Sequence, residues 1–176
     1  MLISEEYREV LRRTREHVKP WGTTGHKWAD TIRELLHGEP YTDILDYGSG
    51  SGSIAEALHE YEVTEYDPGI VGKEDGNQPR NFVVCLDVLE HIEPELLDSV
   101  LNDLQRCVID KGFFIIACRK AKKILADGRN AHLIVETPRW WSKRIKQHFE
   151  VLEEEFLGNA DIYKVLVRTK SLASEY

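Results

Sequence analysis

The sequence predicts an α/β sandwich with a mostly parallel sheet, right-handed crossovers and a final antiparallel strand pair. Three observations carry this. Short apolar runs alternate with helical patterns from Trp28 to His148. The first run ends in Asp46-Tyr47-Gly48-Ser49-Gly50-Ser51-Gly52-Ser53, where a strand meets a glycine turn and a helical pattern begins at once. The run Phe82-Val83-Val84-Cys85-Leu86 is apolar on both faces, as a strand in the middle of a parallel sheet must be.

Residues 4 to 18 read as a charged helix with Ser4 as its N-cap and Val10 and Leu11 on a narrow apolar stripe. Trp21 to Trp28 is a loop into a second helix, which carries Trp28, Ile32, Leu35 and Leu36 and is stopped by Gly38 and Pro40. A strand at 42 to 47, the glycine turn, and a helix at 52 to 60 with Ile54, Ala55 and Leu58 inward follow. Val63 to Tyr66 is the second strand, ended by Asp67-Pro68-Gly69; the Gly-, Pro-, Asp- and Asn-rich stretch 68 to 80 reads as loop. After the strand at 82 to 86, Pro94 to Val108 makes a helix and Gly112 to Cys118 a fourth strand. A basic stretch leads to a helix at Pro138 to His148. The runs Phe149 to Phe156 and Asp161 to Thr169 then pair antiparallel. No internal repeat or linker interrupts this order.

A chain of 176 residues is long enough for one well-buried core and short for two domains. Within that single domain, 1–176, the expected parts are an N-terminal helical cap (1–38), a ligand-binding core (42–118), a basic insertion acting as a second cap (119–148) and terminal strands (149–170). No apolar run approaches the roughly 20 residues of a membrane span, and Met1-Leu2-Ile3-Ser4-Glu5-Glu6 lacks the parts of a signal peptide. Cys85, Cys107 and Cys118 have no CxxC spacing and read as reduced thiols, so the expected setting is cytoplasmic, with no membrane partner. The net charge of −8 is uneven: residues 111–148 carry +8 and the remainder −16. That asymmetry fits either a face toward an anionic partner, nucleic acid or phosphorylated metabolite, or a solvated surface.

Ligands of such sheets bind beyond the C-terminal strand ends. Here the first end offers Asp46 before Gly48, Gly50 and Gly52. Serine at 53 breaks the dinucleotide pattern Gly-x-Gly-x-x-Gly, and no Walker-type lysine follows the glycines. A carboxylate at the mouth of the turn repels a pyrophosphate and suits a cationic group such as an ammonium. The second end offers Asp67 to a pair of ribose hydroxyls. The third is Leu86-Asp87-Val88-Leu89-Glu90-His91-Ile92. His91 is a candidate general base, or a histidine that packs or caps; His132, in the insertion, is a second candidate base or a surface residue. Trp21, Trp28, Trp140 and Trp141 either stack on a substrate ring or pack internally.

These three motifs, in order over residues 42 to about 118, resemble those of the class I S-adenosylmethionine (SAM) methyltransferases, with their Rossmann-like fold. The chain is also similar to small methyltransferases of phages and prophages in Trp21-Gly22-Thr23-Thr24-Gly25, Tyr66-Asp67-Pro68, Asp127 to Leu133 and Trp140-Trp141. The resemblance implies a SAM-dependent transferase with S-adenosylhomocysteine as product. Asp46, Tyr47, Gly48, Ser49, Gly50 and Gly52 would surround the methionine part. Asp67 would hold the ribose, while Leu86, Asp87 and Val88 would line the adenine and sulfonium region.

Only 14 residues separate Asp67 from Phe82, too few for the family's usual helix and strand, so loop 68–80 would hold the adenine. Neither an Asn/Asp-Pro-Pro-Tyr/Phe motif for base amines nor a Pro-Cys nucleophile occurs. Asp87, Glu90, His91 and His132 together would suit a divalent metal, an arrangement similar to that of small-RNA 3′-terminal 2′-O-methyltransferases. The expected site nevertheless uses no metal. A non-catalytic SAM-binding protein is a further reading, and the acceptor and oligomeric state stay open.

Overall fold

The computed structural model describes residues 1–18 and 22–170. Trp21, one of the candidate stacking residues, lies outside the described residues. Helix α1 (Glu5–His17) is followed by a 3₁₀ turn and α2 (Ala29–Leu36), then by β1 (Asp43–Tyr47), α3 (Ser53–Ala57), β2 (Glu62–Tyr66) and β3 (Arg80–Leu86). Helix α4 (Leu97–Cys107) runs directly into β4 (Val108–Ala117); α5 (Pro138–His148), β5 (Phe149–Leu157) and β6 (Ile162–Thr169) complete the chain. Among the described residues six strands form one sheet in the order β2-β1-β3-β4-β6-β5. The first four are parallel, and β6 returns antiparallel between β4 and β5.

The period-2 alternation of strands splits the core into two layers. Leu45, Tyr47, Val83, Cys85, Phe114 and Ile116 face α4 and α5, where Leu101, Leu104, Trp141 and Ile145 are fully buried. Ile44, Phe82, Val84, Phe113 and Ile115 face α2 and α3, packing Ile32, Leu36, Ile54 and Leu58. A third, smaller cluster joins Tyr7, Val10 and Leu11 of α1 to Leu125 and Ala131 of the segment after β4. This apolar seam lies outside the two sheet layers, so α1 and residues 119–134 pack on each other over the ends of the strands.

The N-terminus of α1 is tied to the body through one serine. Ser4 Oγ accepts from Tyr7 N at 3.0 Å and donates to Glu93 at 2.5 Å, while Ser4 N donates to the other Glu93 oxygen at 2.9 Å. Replacing Ser4 by Ala should therefore cost about 1–2 kcal/mol. Thermal unfolding should register this as a fall of roughly 2–4 °C per kcal/mol for a chain of this size; an unchanged melting temperature would show that the cap carries no stability.

Three local expectations change, and a fourth is decided between its two readings. The helix after the glycine turn ends at Ala57 rather than 60, because Leu58 leaves helical geometry and a turn with Tyr61 N on Leu58 O feeds β2. Ala55 is half-buried rather than inward. Residues 29–36 and 138–148, expected in the caps, carry apolar stripes that pack on the sheet. The described tryptophans pack internally: Trp28 meets Phe113 edge-on at 6.1 Å, and Trp140 meets the fully buried Trp141 at 5.0 Å. Cys85, Cys107 and Cys118 are free thiols. Among the described residues no helix is long and apolar enough to cross a membrane.

Candidate functional site

A cavity of about 440 Å³ opens beyond the C-terminal ends of β1 to β4. Its floor is Asp46 to Gly50 with Leu86, Asp87 and Val88; its walls are Gly22 to Gly25, Asp67 to Gly69, α1, and residues of the 119–132 segment. Gly48, Gly50 and Gly52 all have left-handed φ, at +83°, +54° and +85°. The space their missing side chains free is filled by the protein. A Cβ at Gly48 would lie 2.4 Å from a Val88 methyl, one at Gly50 2.9 Å from Gly22 Cα, and one at Gly52 2.1 Å from Glu65 Oε1. Gly52 accordingly faces Glu65 and is not part of the cavity lining, whereas Tyr47, Gly48, Ser49 and Gly50 are. The glycines let the turn pack between Val88 and the Gly22 loop, whose carbonyl accepts from Ser51 N and Oγ.

Asp46 is the chemically exposed point of this floor. It is 4% exposed, lines the cavity and accepts no hydrogen bond from the described residues. Burial, with Glu65 next in effect, pushes its carboxyl up to about 7. The Ser49 hydroxyl is likewise buried without a partner beside it. Asp67 is better satisfied: Oδ2 accepts from Gly50 N at 3.1 Å and Oδ1 from Gly69 N at 2.9 Å, with Arg15 at 3.8 Å. Asp87 turns the chain away from β3 with φ +54° and accepts from Thr24 Oγ1 at 2.8 Å. Of the loop 68–80, Pro68 and Gly69 reach the cavity; Lys73 is spent on Glu65 and the Gly50 carbonyl.

The opposite half is built by His91 and His132, whose rings meet edge-on at 4.8 Å. His91 Nδ1 lies 2.7 Å from the Ala131 carbonyl and His132 Nδ1 lies 2.5 Å from that of Arg119. A carbonyl only accepts, so both Nδ1 atoms carry hydrogen and both Nε2 atoms carry a lone pair. Burial, then His132 and Lys123, pull His91 down to about 4; burial also lowers His132. Both rings are therefore neutral at neutral pH.

Glu90 stands behind them, fully buried, with Oε1 accepting from Ala117 N at 3.0 Å and Oε2 without a partner. Burial and Asp87 raise its carboxyl well above the usual range, favouring the neutral acid. Of the four residues considered for a metal, Glu90, His91 and His132 bring ligand atoms within 4.8 Å of one another, and Asp87 stands apart on Thr24. Tyr7, Ile92 and Glu93 line this half, and Arg15 lines the cavity beside Asp67 and Gly69, without any sequence signal of their own. Tyr7 donates to the His91 carbonyl at 2.9 Å, and its place on the α1 apolar stripe beside Val10 and Leu11 is the one hint available.

The groups of the first half fit SAM: an unpartnered buried carboxylate for the ammonium, an unpartnered serine hydroxyl, and Asp67 at the second strand end. Residues 8–160 match a methyltransferase-domain family. Among curated proteins none matches. The chain is similar in fold to DhpI solved with S-adenosylhomocysteine, at TM-score 0.68 and 15% identity over 96% of this chain and 99% of that one. It is also similar to the Burkholderia thailandensis 1,6-didemethyltoxoflavin-N1-methyltransferase, solved with that compound and S-adenosylhomocysteine, at TM-score 0.64 and 18% identity over 97% and 92%. A third is the N-methyltransferase NodS of Bradyrhizobium japonicum with S-adenosylhomocysteine, at TM-score 0.59 and 14% identity over 92% and 97%.

Proposed function

This chain belongs to the methyltransferase-domain family, and from that membership we propose how it divides its cavity between a methyl donor and an acceptor. It is a SAM-dependent methyltransferase. When bound, SAM supplies a methyl group on a positively charged sulfur, which leaves as the acceptor's lone pair reaches it. The chain's own tasks are to hold that donor, align the acceptor and receive its proton.

The observation that carries the reading is Asp46, a buried carboxylate left without a hydrogen-bond partner against the cavity. A carboxylate in that position is costly unless a cation meets it. The ammonium of SAM supplies that cation, and the pyrophosphate of a dinucleotide would be repelled, which disfavours NAD. Ser49 offers a hydroxyl to the same methionine part, Asp67 retains acceptor capacity for the ribose hydroxyls, and Leu86 and Val88 supply apolar contact. Among residues 68–80, Pro68 and Gly69 are the part placed to touch the adenine.

On the acceptor side His91 Nε2, unprotonated at neutral pH, takes the proton that the acceptor loses, with the neutral His132 ring beside it. A second, non-catalytic reading has less to support it, because both imidazoles are held by backbone carbonyls in the tautomer a base requires. A cytoplasmic setting belongs to the same proposal, supported by the three free thiols. The kinship with phage-encoded enzymes rests on the motifs at 21–25, 66–68 and 127–133.

The direct test is transfer of label from methyl-labelled SAM into fractionated small molecules and nucleic acids. Incorporation into one fraction, with release of S-adenosylhomocysteine, is expected. Tight SAM binding with no incorporation into any fraction would favour the non-catalytic reading.

A further inference from the structure

The cavity is electrically divided. Its donor half carries Asp46, Asp67 and Asp87, matched to a donor with an ammonium and a sulfonium. Its acceptor half draws Arg119, Lys122 and Lys123 from one short stretch after β4. The carboxylate on that side, Glu93, is buried and engaged at both oxygens by Ser4. Among the described residues no carboxylate lies within ion-pair distance of Lys122, and Arg119 meets Asp161 only at 3.9 Å across an exposed surface. Burial is the main cause that lowers both histidines; Lys123 adds to it at His91, while at His132 Asp87 acts in the opposite sense and ahead of Arg119. Three cationic side chains drawn from one stretch favour an anion on this side of the cavity.

Size sets the second limit. About 440 Å³ lies low in the range for a single drug-sized ligand, so beside a bound donor there is room for a compact acceptor only. Helix α1 closes the acceptor half through Tyr7, while its Arg15 donates to the Gly69 carbonyl on the donor side. The surface outside residues 111–148 is strongly acidic, which opposes a polyanionic strand lying along it.

Resting on the reading of this cavity as a methyltransferase site, we propose that the methyl acceptor is a small oxyanion, a carboxylate- or phosphate-bearing metabolite. Its charged group is held by Arg119, Lys122 and Lys123, and its nucleophilic atom faces His91. A bound negative charge there offsets Lys123, which adds to the burial that depresses His91, raising its basicity at the moment a proton must be taken.

Thermal shift and calorimetry with inorganic phosphate, acetate and a short single-stranded oligonucleotide, each on protein saturated with S-adenosylhomocysteine, test this. A stabilising response to phosphate or acetate above that of chloride at equal ionic strength is expected, and their ranking separates phosphoryl from carboxylate acceptors. The double variant Lys122→Ala/Lys123→Ala should weaken the anion response at least about tenfold while S-adenosylhomocysteine still binds. The exposed Lys122→Ala alone, which leaves Lys123 in place, should give a smaller loss in the same direction. An anion response unchanged in the double variant, no anion response at all, or a response to the oligonucleotide alone would overturn the proposal. Failure of S-adenosylhomocysteine to bind wild-type protein would instead sink the methyltransferase reading beneath it.

Discussion

Replacing Asp46 by Asn should move ligand binding and stability in opposite directions. Removing one partner of a buried charge pair costs about 2–5 kcal/mol, so SAM affinity should fall by roughly 30-fold to 4,000-fold. The ligand-free protein should become more stable. Asp46 is raised in the folded chain to about 7 from 3.8. Its contribution is therefore fully present below the unfolded value and is lost as pH rises through about 7. Above that pH the ionised carboxylate costs the fold up to about 4 kcal/mol, and asparagine removes that cost less the cost of burying its amide. Chemical denaturation of both proteins at pH 5 and pH 8 checks this: the variant should gain clearly more on wild type at pH 8 than at pH 5. Equal stability at both pH values would mean that Asp46 is satisfied by a partner the geometry does not provide.

A His91→Ala variant should lose turnover by about 10²–10⁴-fold while its SAM affinity changes little, since His91 lines the acceptor half and Asp46 the donor half. A His91→Asn variant keeps a donor at the Nδ1 position for the Ala131 carbonyl and should be equally slow, which separates proton acceptance from mere support of the 131 segment. The pH profile separates the two residues, His91 and Asp46. With its pKa near 4, His91 of the ligand-free protein is already in base form at pH 6. An acid limb near 7 in kcat/KM should therefore come from Asp46 and vanish in Asp46→Asn. Unchanged kcat in both His91 variants would remove it from the proton path and leave His132 as the base.

Much of this molecule was legible because its signals are local. Three glycines with small polar residues between them, an apolar run at 82–86 and a turn-rich stretch at 68–80 each report a conformation that neighbouring residues alone decide. The strand ends at Asp46, Asp67 and Asp87 followed from that order. Contacts distant in sequence carried no such signal. Ser4 meets Glu93 across 89 positions, Thr14 accepts from Ala126 across 112, and Gly22 packs on Gly50, so the closure of α1 and the Gly22 loop over the site could not be read from composition. The glycines themselves were only half legible: a turn was expected there, whereas its left-handed φ values and the Val88, Gly22 and Glu65 atoms that fill the vacated space were not. Basic residues on α5 suggested a partner surface, and its buried stripe, Trp141 and Ile145, decided its place in the core.

The claim that organises the site is that Asp46 receives the ammonium of SAM, and calorimetric titration across pH tests it most directly. Below about 7 Asp46 is protonated, and above about 8 an α-amino group loses its charge. SAM affinity for the wild-type chain should therefore be bell-shaped with its maximum between those values, NAD should not bind, and Asp46→Asn should bind weakly without the acid limb. Affinity independent of pH from 5.5 to 8, or equal in Asp46→Asn, would contradict the account.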